Sequence, residues 1–153
     1  MVDYAGKCDA IVNALKAKAA NLGGMSADSI EEGRTGEPGA PPFLYVYLTP
    51  GRIENAVQGP YKFWTDITVL VGVPGTASAS QSIRDGMHLA GQCLKVLDDI
   101  PDEIWTKEIS LQEQTADRTI LRLIMESPFE MFQALDIVAP PDSPVEGGGG
   151  DTD

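Results

Sequence analysis

The segment from Tyr61 to Val73 constrains the fold more than any other part of the sequence, because its side chains alternate in character over thirteen residues. One parity carries Phe63, Ile67, Val69, Val71 and Val73, and the other carries Trp64, Asp66, Thr68, Leu70 and Gly72. A period of two residues places the two sets on opposite faces of a β-strand. This is the longest strand signal in the chain, and a β-sheet is therefore the base of the predicted fold.

Three further segments predict strands. Residues 43–49 alternate between Leu44, Val46 and Leu48 on one side and Phe43, Tyr45 and Tyr47 on the other. Pro50 and Gly51 are expected to end this strand. Residues 104–111 and 119–125 predict two more strands, joined by the polar residues 112–118 in a hairpin-like connection.

Two segments carry the three- and four-residue spacing of apolar side chains that is typical of amphipathic helices. The first, residues 4–22, places its stripe on Tyr4, Cys8, Ile11, Val12, Leu15, Ala19 and Leu22. Gly23 and Gly24 can close this helix. Its solvent side is assigned Lys7, Lys16 and Lys18. The second helix begins at a cap formed by Ser78 or Ser80 and places its stripe on Ile83, Met87, Ala90, Leu94 and Leu97.

The predicted order is helix, strand, strand, helix, strand, strand, with room for a short strand at residues 29–32 before the first pair. Hairpin-connected strands and two helices pack most simply as an α+β two-layer sandwich, in which a mostly antiparallel sheet carries both helices on one face. With 153 residues, the chain is long enough for a single domain with its own core, and we assign that domain to residues 1–138. Residues 139–153 are acidic and rich in proline and glycine, and are expected to be disordered.

The sheet face away from the helices is expected to be open and apolar. The aliphatic sets predicted to face the helices are Leu44, Val46 and Leu48, then Ile67, Val69 and Val71, then Leu121, Leu123 and Met125. The opposite face then carries Tyr45, Tyr47, Trp64, Leu70, Ile120, Arg122 and Ile124. Because a large exposed apolar patch usually marks a binding surface, we predict a subunit interface there, with another protein or another copy of this chain. The alternative is local packing against the long polar side chains of Lys62 and Arg122.

Acidic residues dominate the charge of the chain. Lys and Arg total 11 against 23 Asp and Glu, so the net charge of −12 argues against a surface that grips phosphates. No apolar run approaches the roughly 20 residues that span a bilayer, and no basic amphipathic stretch suggests a membrane surface. No secretion signal is recognised and Cys8 and Cys93 are too few for a disulfide framework, so a cytosolic protein with reduced thiols is expected.

Residues suited to catalysis or metal binding are scarce. His88, the single histidine, is predicted on the solvent side of the second helix, without a nucleophile placed beside it. Cys8 and Cys93 fall in or beside apolar stripes, where a thiol fills space. The acidic group Asp98, Asp99, Asp102 and Glu103 lacks the spacing of a calcium loop and is interpreted as a solvated helix end. No phosphate-binding glycine loop is present, and the sequence predicts no cofactor, no metal and no enzymatic activity.

The order of elements and three of the segments form a recognisable combination. After an N-terminal helix and a loop rich in proline and glycine come Pro42-Phe43-Leu44-Tyr45-Val46, then Phe63-Trp64-Thr65-Asp66-Ile67-Thr68-Val69-Leu70-Val71, a helix, and Asp117-Arg118-Thr119-Ile120-Leu121-Arg122-Leu123. This combination resembles the tail terminator proteins of long-tailed bacteriophages. The resemblance covers residues from about 4 to 130 and lies in the pattern of elements.

Members of that family are not enzymes. They assemble into a ring, generally sixfold, that sits on the last ring of the growing tail tube, stops its polymerisation and faces the connector of the DNA-filled head. The resemblance therefore implies a homo-oligomeric structural protein of the virion neck, assembled in the host cytoplasm, with tail tube and head-tail connector proteins as partners. DNA would pass through the lumen without specific binding, which fits the negative net charge. Candidates for the lumen or for partner-facing loops are Glu31, Glu32, Glu37, Arg52 and Glu54.

Other functions stay open on the sequence alone. A head-completion or neck protein shares small α+β architectures and ring assembly with the tail terminators. A cytosolic adaptor would bind peptides by adding a strand to its sheet edge. A small enzyme would need two acidic side chains that converge in one pocket.

Overall fold

The computed structural model describes residues 4–54, 62–100 and 104–130. Its helices and strands are α1 (Tyr4–Ala17), β1 (Ile30–Glu32), β2 (Phe43–Glu54), β3 (Lys62–Pro74), α2 (Ala79–Leu97), β4 (Trp105–Gln114) and β5 (Arg118–Glu130). Short 3-10 turns at Ala19–Asn21 and Ala27–Ser29 connect α1 to β1. The predicted alternation of helices and strands is present in this order, with β1 at the position allowed for a short strand.

The strands form one five-stranded sheet in the order β1-β2-β3-β5-β4. β1 pairs parallel to β2, while β2 with β3, β3 with β5, and β5 with β4 are antiparallel. The α+β class, the two helices and the single domain are confirmed, and the sheet is mixed. Since β5 returns between β3 and β4, the hairpin strand β4 becomes an edge of the sheet.

The core lies between the helices and one sheet face. The predicted aliphatic parities are part of it, since β3 contributes Ile67, Val69 and Val71 and β5 contributes Leu121, Leu123 and Met125, all of them buried. From α1 the same cluster includes Ile11 and Leu15, which are fully buried. Strand parity therefore assigned the helix-facing side of the sheet correctly.

The buried face of α2 differs from the predicted one. Its buried residues are Ser82, Gly86, Leu89, Ala90, Cys93 and Leu97. A Cβ atom on Gly86 would lie 2.8 Å from Cδ1 of Leu121, so the helix approaches the sheet too closely for a larger side chain there. The small residues lie against the sheet, and Ile83, Met87 and Leu94 are displaced by about a quarter turn to one flank. Of the predicted stripe, Met87 is 49% exposed.

Lys7 is buried, contrary to its predicted place on the solvent side of the first helix. Its side chain is only 3% exposed, and its ammonium group donates a hydrogen bond of 2.9 Å to the hydroxyl of Ser127 on β5. The contact joins the start of α1 to the far end of the sheet. Ser127 is itself fully buried, so this hydrogen bond lies in the interior of the protein.

Pro50 and Gly51 do not end β2, which continues to Glu54 with a register shift between Pro50 and Ile53. Pro50 is tolerated because β1 pairs only with residues 44–46, so this part of β2 has a partner on one side alone. A Cβ atom on Gly51 would collide with the main-chain oxygen of Trp64, which explains a glycine at the irregularity. The connection between β4 and β5 is also shorter than predicted and comprises residues 115–117.

Candidate interaction surface

The sheet face away from the helices is largely covered within the single chain. Tyr45 and Ile120 are each 2% exposed and Trp64 is 8% exposed. With Phe43 they lie beneath other parts of the molecule, so the prediction of an open apolar face is wrong at these positions. The subunit interface on this face was predicted from its exposure, and that argument does not hold for these buried residues.

Residues 33–42 provide much of this cover. The backbone amide of Gly39 donates a hydrogen bond of 2.8 Å to the hydroxyl of Tyr45. The hydroxyl of Tyr47 donates one of 2.7 Å to the carbonyl oxygen of Arg34, whose guanidinium carbon lies 5.3 Å from the centroid of the Tyr45 ring. Beneath the loop, the rings of Phe43 and Tyr45 stack with centroids 4.2 Å apart. Phe43, Tyr45 and Ile120 form a second, smaller core, and Tyr47 and Leu70 pack against it.

Replacing Tyr45 by phenylalanine should weaken the closure of this loop. The Gly39 amide would lose its acceptor in a partly buried position, which costs about 1 kcal/mol of folding free energy. Urea denaturation measures the loss, and hydrogen exchange of the Gly39 amide should become faster. Tyr47→Phe is the matched variant, since it releases the Arg34 carbonyl and should leave Gly39 protected. Equal effects of both variants on Gly39 would mean that the loop opens as one unit.

The remaining predicted interface residues are only partly accessible. Tyr47, Leu70 and Ile124 are partly buried, and Arg122 is exposed beside them. Their register places them in adjacent rows on one face, since Leu70 pairs with Arg122 and Thr68 pairs with Ile124. Trp64 lies further along the face under Arg52, whose guanidinium carbon is 4.2 Å from the ring centroid. The structure therefore brings the seven residues onto one face, as predicted, but leaves only a small part of it accessible.

Larger exposed apolar side chains lie at the β4 edge of the sheet. On β4, Ile109 is 36% and Leu111 is 50% exposed. They pair with Leu123 and Leu121, whose side chains face the helices, so they continue the helix-facing side of the sheet. However, α2 packs on β3 and β5, and no β4 residue joins the buried core of the described part of the chain.

The displaced flank of α2 faces the same edge. Leu94 lines a cavity of about 420 Å³ together with Thr106 near the start of β4. Met87 and Ile83 lie on the same flank, about two and three turns earlier in the helix. We call the surface formed by Ile83, Met87, Leu94, Ile109 and Leu111 the apolar edge.

The apolar edge was missed in the sequence because it depends on strand order. Residues 109 and 111 have the alternation of an ordinary half-buried strand, and nothing local shows that no helix will lie over them. Trp105, which is 55% exposed, pairs with Glu126 and so lies on the other face of the sheet from Ile109 and Leu111. Among the described strands β4 pairs only with β5, and two register shifts and the charged residues Lys107 and Glu108 interrupt its regularity.

The charged residues proposed for a lumen separate into two groups. Glu31 accepts a hydrogen bond of 2.6 Å from the guanidinium of Arg34, and the carbonyl oxygen of Glu37 accepts one of 3.0 Å from the same group. Glu32 is exposed on β1 beside them.

Arg52 and Glu54 form the second group, near the end of β2. Arg52 binds Glu54 at 3.2 Å and Glu126 at 3.5 Å. Val46, the last partner of β1, and Glu54 are eight positions apart along β2, which corresponds to about 25 Å. The structure therefore does not bring the five residues into one cluster.

The groups that carry most catalytic chemistry have no shared site in the described residues. His88 is exposed on α2, and Cys8 and Cys93 are buried. Among residues 4–54, 62–100 and 104–130, no three His, Cys, Asp or Glu side chains are placed to hold one metal ion. Asp98 and Asp99 are exposed where α2 ends, and the rest of the predicted acidic group, Asp102 and Glu103, lies outside the described residues.

Both thiols should resist alkylation in the folded protein. Burial raises the pKa of Cys93 to about 12, and burial together with the carboxylates of Glu32 and Asp9 raises that of Cys8 to about 11. Because the thiolate is the reactive form, iodoacetamide at pH 8 should modify the native protein about a hundredfold more slowly than the urea-unfolded chain. Mass spectrometry measures both rates. Rapid modification of Cys8 in native protein would instead show that α1 opens readily.

The same shifts predict a loss of stability at alkaline pH. The pKa of each thiol is higher in the folded state than its ordinary value of 9.0. The stabilisation from keeping these thiols protonated and buried is complete below pH 9 and is lost as the pH rises from 9 toward 12. Thermal unfolding across this range tests the direction, and a Cys93→Ala variant should lose less stability over it.

Comparison with known proteins gives no family for this chain. No model of a known protein family matches the sequence, and no curated protein matches it significantly. Within the described residues, no helix has the length and apolar character needed to cross a bilayer.

Proposed function

We propose that this chain is a structural virion protein that forms a ring on the phage tail tube, stops its polymerisation and joins the tail to the head connector. The observation that carries the proposal is the apolar edge, with Met87 and Leu111 half exposed and Ile109 more than a third exposed on a single subunit. Aliphatic side chains clustered at one place on a surface favour burial by a partner. The resemblance to tail terminators supplies the kind of assembly, and the α+β fold agrees with it.

A ring requires two different surfaces on each subunit. In a closed ring, one patch of a copy binds a different patch of the next copy, and the rotation between copies closes the circle. The apolar edge supplies one patch on the β4 side of the sheet. The opposite side of the molecule, at β1 and residues 33–42, differs in chemistry, since it displays Glu31, Glu32 and Arg34. A sixfold ring with these two sides in contact is the assembly that we propose.

The charge of the chain suits a channel for DNA. A net charge of −12 gives the lumen few cations with which to hold a duplex through release of its counterions. Several of the cations are neutralised by acids of the same subunit, for example Arg34 by Glu31 and Arg118 by Glu113. Glu32 and Glu54 are exposed and are our candidates for facing the channel or a neighbouring protein.

A peptide-binding adaptor is the second candidate. Its support is β4, a ten-residue strand at the edge of the sheet that pairs only with β5 among the described strands. An extended peptide adds to such an edge through main-chain hydrogen bonds. The two register shifts in β4 interrupt that ladder and make the strand a poorer template than a regular edge.

Light scattering with negative-stain imaging tests the proposal. The purified protein should show a mass near six times its 16.3 kDa subunit mass, and images should show annuli with a central hole. A protein that is monomeric at every concentration and forms no annuli contradicts self-assembly. A monomer that binds extended peptides along β4 supports the adaptor instead.

A further inference from the structure

A groove runs along the solvent side of the helical layer. It lies between the 3-10 turn after α1 and the C-terminal half of α2, and has a volume of about 740 Å³. Its apolar lining comes from Leu22, Met87 and Val96. Its charged and titratable lining comes from Lys18, His88 and Lys95, with Asp99 at one end. We call this surface the helix groove.

The lysines of the helix groove lack acidic partners, unlike cations on the sheet side. Arg34, Arg52, Lys107 and Arg118 each form a salt bridge with a carboxylate. By contrast, Lys18 and Lys95 have no carboxylate within 4 Å in the part of the chain that the structure describes, and neither has Arg84 on the same side of α2. The groove lining, with Lys18 and Lys95 against Asp99, therefore has a small excess of positive charge in a chain of net charge −12.

Residues 131–153 of the same chain have the complementary chemistry. They contain no Lys, Arg or His, and their carboxylates are Asp136, Asp142, Glu146, Asp151 and Asp153. The first of them lies among apolar residues, in the sequence Met131-Phe132-Gln133-Ala134-Leu135-Asp136-Ile137-Val138. A segment that combines aliphatic side chains with spaced acids fits a groove that combines Leu22, Met87 and Val96 with unpaired lysines.

The exit of β5 is placed so that this segment can return to the groove. β5 ends at Glu130, four residues after Glu126, and Glu126 pairs with Trp105 at the start of β4. β4 follows the C-terminal end of α2, so Lys95 and Asp99 lie toward the end of the sheet from which β5 leaves. Fully extended, residues 131–136 span up to about 20 Å and residues 131–142 up to about 40 Å. The α2 side of the groove, from Met87 to Asp99, is about 18 Å long.

We propose that residues 131–146 dock into the helix groove of their own subunit, with Asp136, Asp142 and Glu146 near Lys95 and Lys18. Each exposed ion pair is worth little by itself. The connection to β5 raises the local concentration of the segment to the millimolar range, so several weak contacts suffice to hold it. The groove shares Met87 with the apolar edge, but its lysines lie outside that surface, so docking is tested separately from the ring.

Zero-length carbodiimide cross-linking of the full-length protein tests the proposal. The reagent joins carboxylates to lysine amines that are in salt-bridge contact. Peptides that join Lys18 or Lys95 to Asp136, Asp142 or Glu146 should dominate the products found by mass spectrometry. They should decrease at least about fivefold in 1 M salt, where the Debye length is about 3 Å.

Two controls separate specific docking from general attraction. Lys16 is exposed on α1 outside the groove lining, so Lys16→Glu should leave the cross-links unchanged. Replacing Lys18 and Lys95 together by glutamine keeps the size of the side chains, and the segment should then become accessible to added protease. Cross-links spread equally over Lys16, Lys18 and Lys95 would overturn the proposal.

A mixture of isotopically light and heavy protein shows which subunit supplies the segment. Light and heavy chains are mixed under denaturing conditions and refolded together, so that any oligomer contains both. Docking within one subunit gives cross-links between peptides of the same isotope only. Cross-links between light and heavy peptides would show exchange between copies and would overturn docking within the subunit.

Discussion

Replacing Ile109 and Leu111 together by aspartate is expected to convert the assembled ring into monomers. Both side chains are partly exposed in the single subunit, so the charges remain solvated there and the fold is kept. In the ring they would be buried without partners, and an uncompensated buried charge costs about 3–5 kcal/mol. Association should therefore weaken by at least about a hundredfold. Light scattering gives the mass, and circular dichroism shows whether the monomer is folded.

Ile53→Asp is the matched control. Ile53 is 60% exposed on β2, outside the apolar edge, and receives the same change in size and charge. This variant should keep the mass of the ring. A double variant at Ile109 and Leu111 that still forms annuli would exclude the apolar edge as the contact between subunits. Dissociation by Ile53→Asp alone would place the contact at the far end of β2.

Trp64 is a poorer site for such a test, although the sequence alone favours it. Its side chain is 8% exposed and is covered by Arg52. An aspartate there would be buried in the monomer, so the expected result is loss of folding before loss of assembly.

The faces of the sheet were predictable because strand parity is local. Val69 and Leu70 are neighbours in sequence, and the period of two fixes that they point to opposite faces wherever the strand lies. Hence the helix-facing set was correct residue by residue. Parity does not tell whether the other face is covered, since this depends on a distant segment.

Residues 33–42 show why the cover was not predicted. The segment has glycines and prolines and no apolar period, which in sequence indicates an irregular loop. Its place over Tyr45 depends on a hydrogen bond from Gly39 and on the position of Arg34 over the ring. Contacts of this kind join single residues across an aromatic surface, and no repeat in the sequence marks them.

Helix α2 shows the limit of hydrophobic periodicity. The spacing of Ile83, Met87 and Leu94 is helical, but these larger residues do not face the sheet. Gly86 and Cys93 do, because they allow close packing against β5. A scale that ranks residues by hydrophobicity undervalues small residues at a close contact. This displacement adds to the effect of strand order on the candidate surface, since the flank of α2 supplies three of the five residues of the apolar edge.

Replacing Gly72 by alanine is expected to destabilise the protein by about 3 kcal/mol, the largest effect that we predict for so small a change. Gly72 pairs with Phe43 on β2 and with Ile120 on β5 in the middle of the sheet. A Cβ atom there would overlap with three atoms of the Phe43 ring. The ring is 1% exposed and stacks on Tyr45, so it has no free space into which to move. Urea denaturation followed by circular dichroism measures the loss.

A second substitution separates this collision from a general effect of removing a glycine. The Phe43→Leu variant lacks the aromatic ring, so Gly72→Ala should destabilise it much less than it destabilises the native protein. The expected coupling between the two positions is about 1–2 kcal/mol. Gly91→Ala on the exposed side of α2 meets no atom within 4 Å and should stabilise the protein by about 0.5–1 kcal/mol, since alanine favours a helix. If Gly72→Ala costs the same with leucine at position 43, the ring is not what excludes a side chain at Gly72. The aromatic group beneath residues 33–42 would then be more loosely packed than its burial indicates.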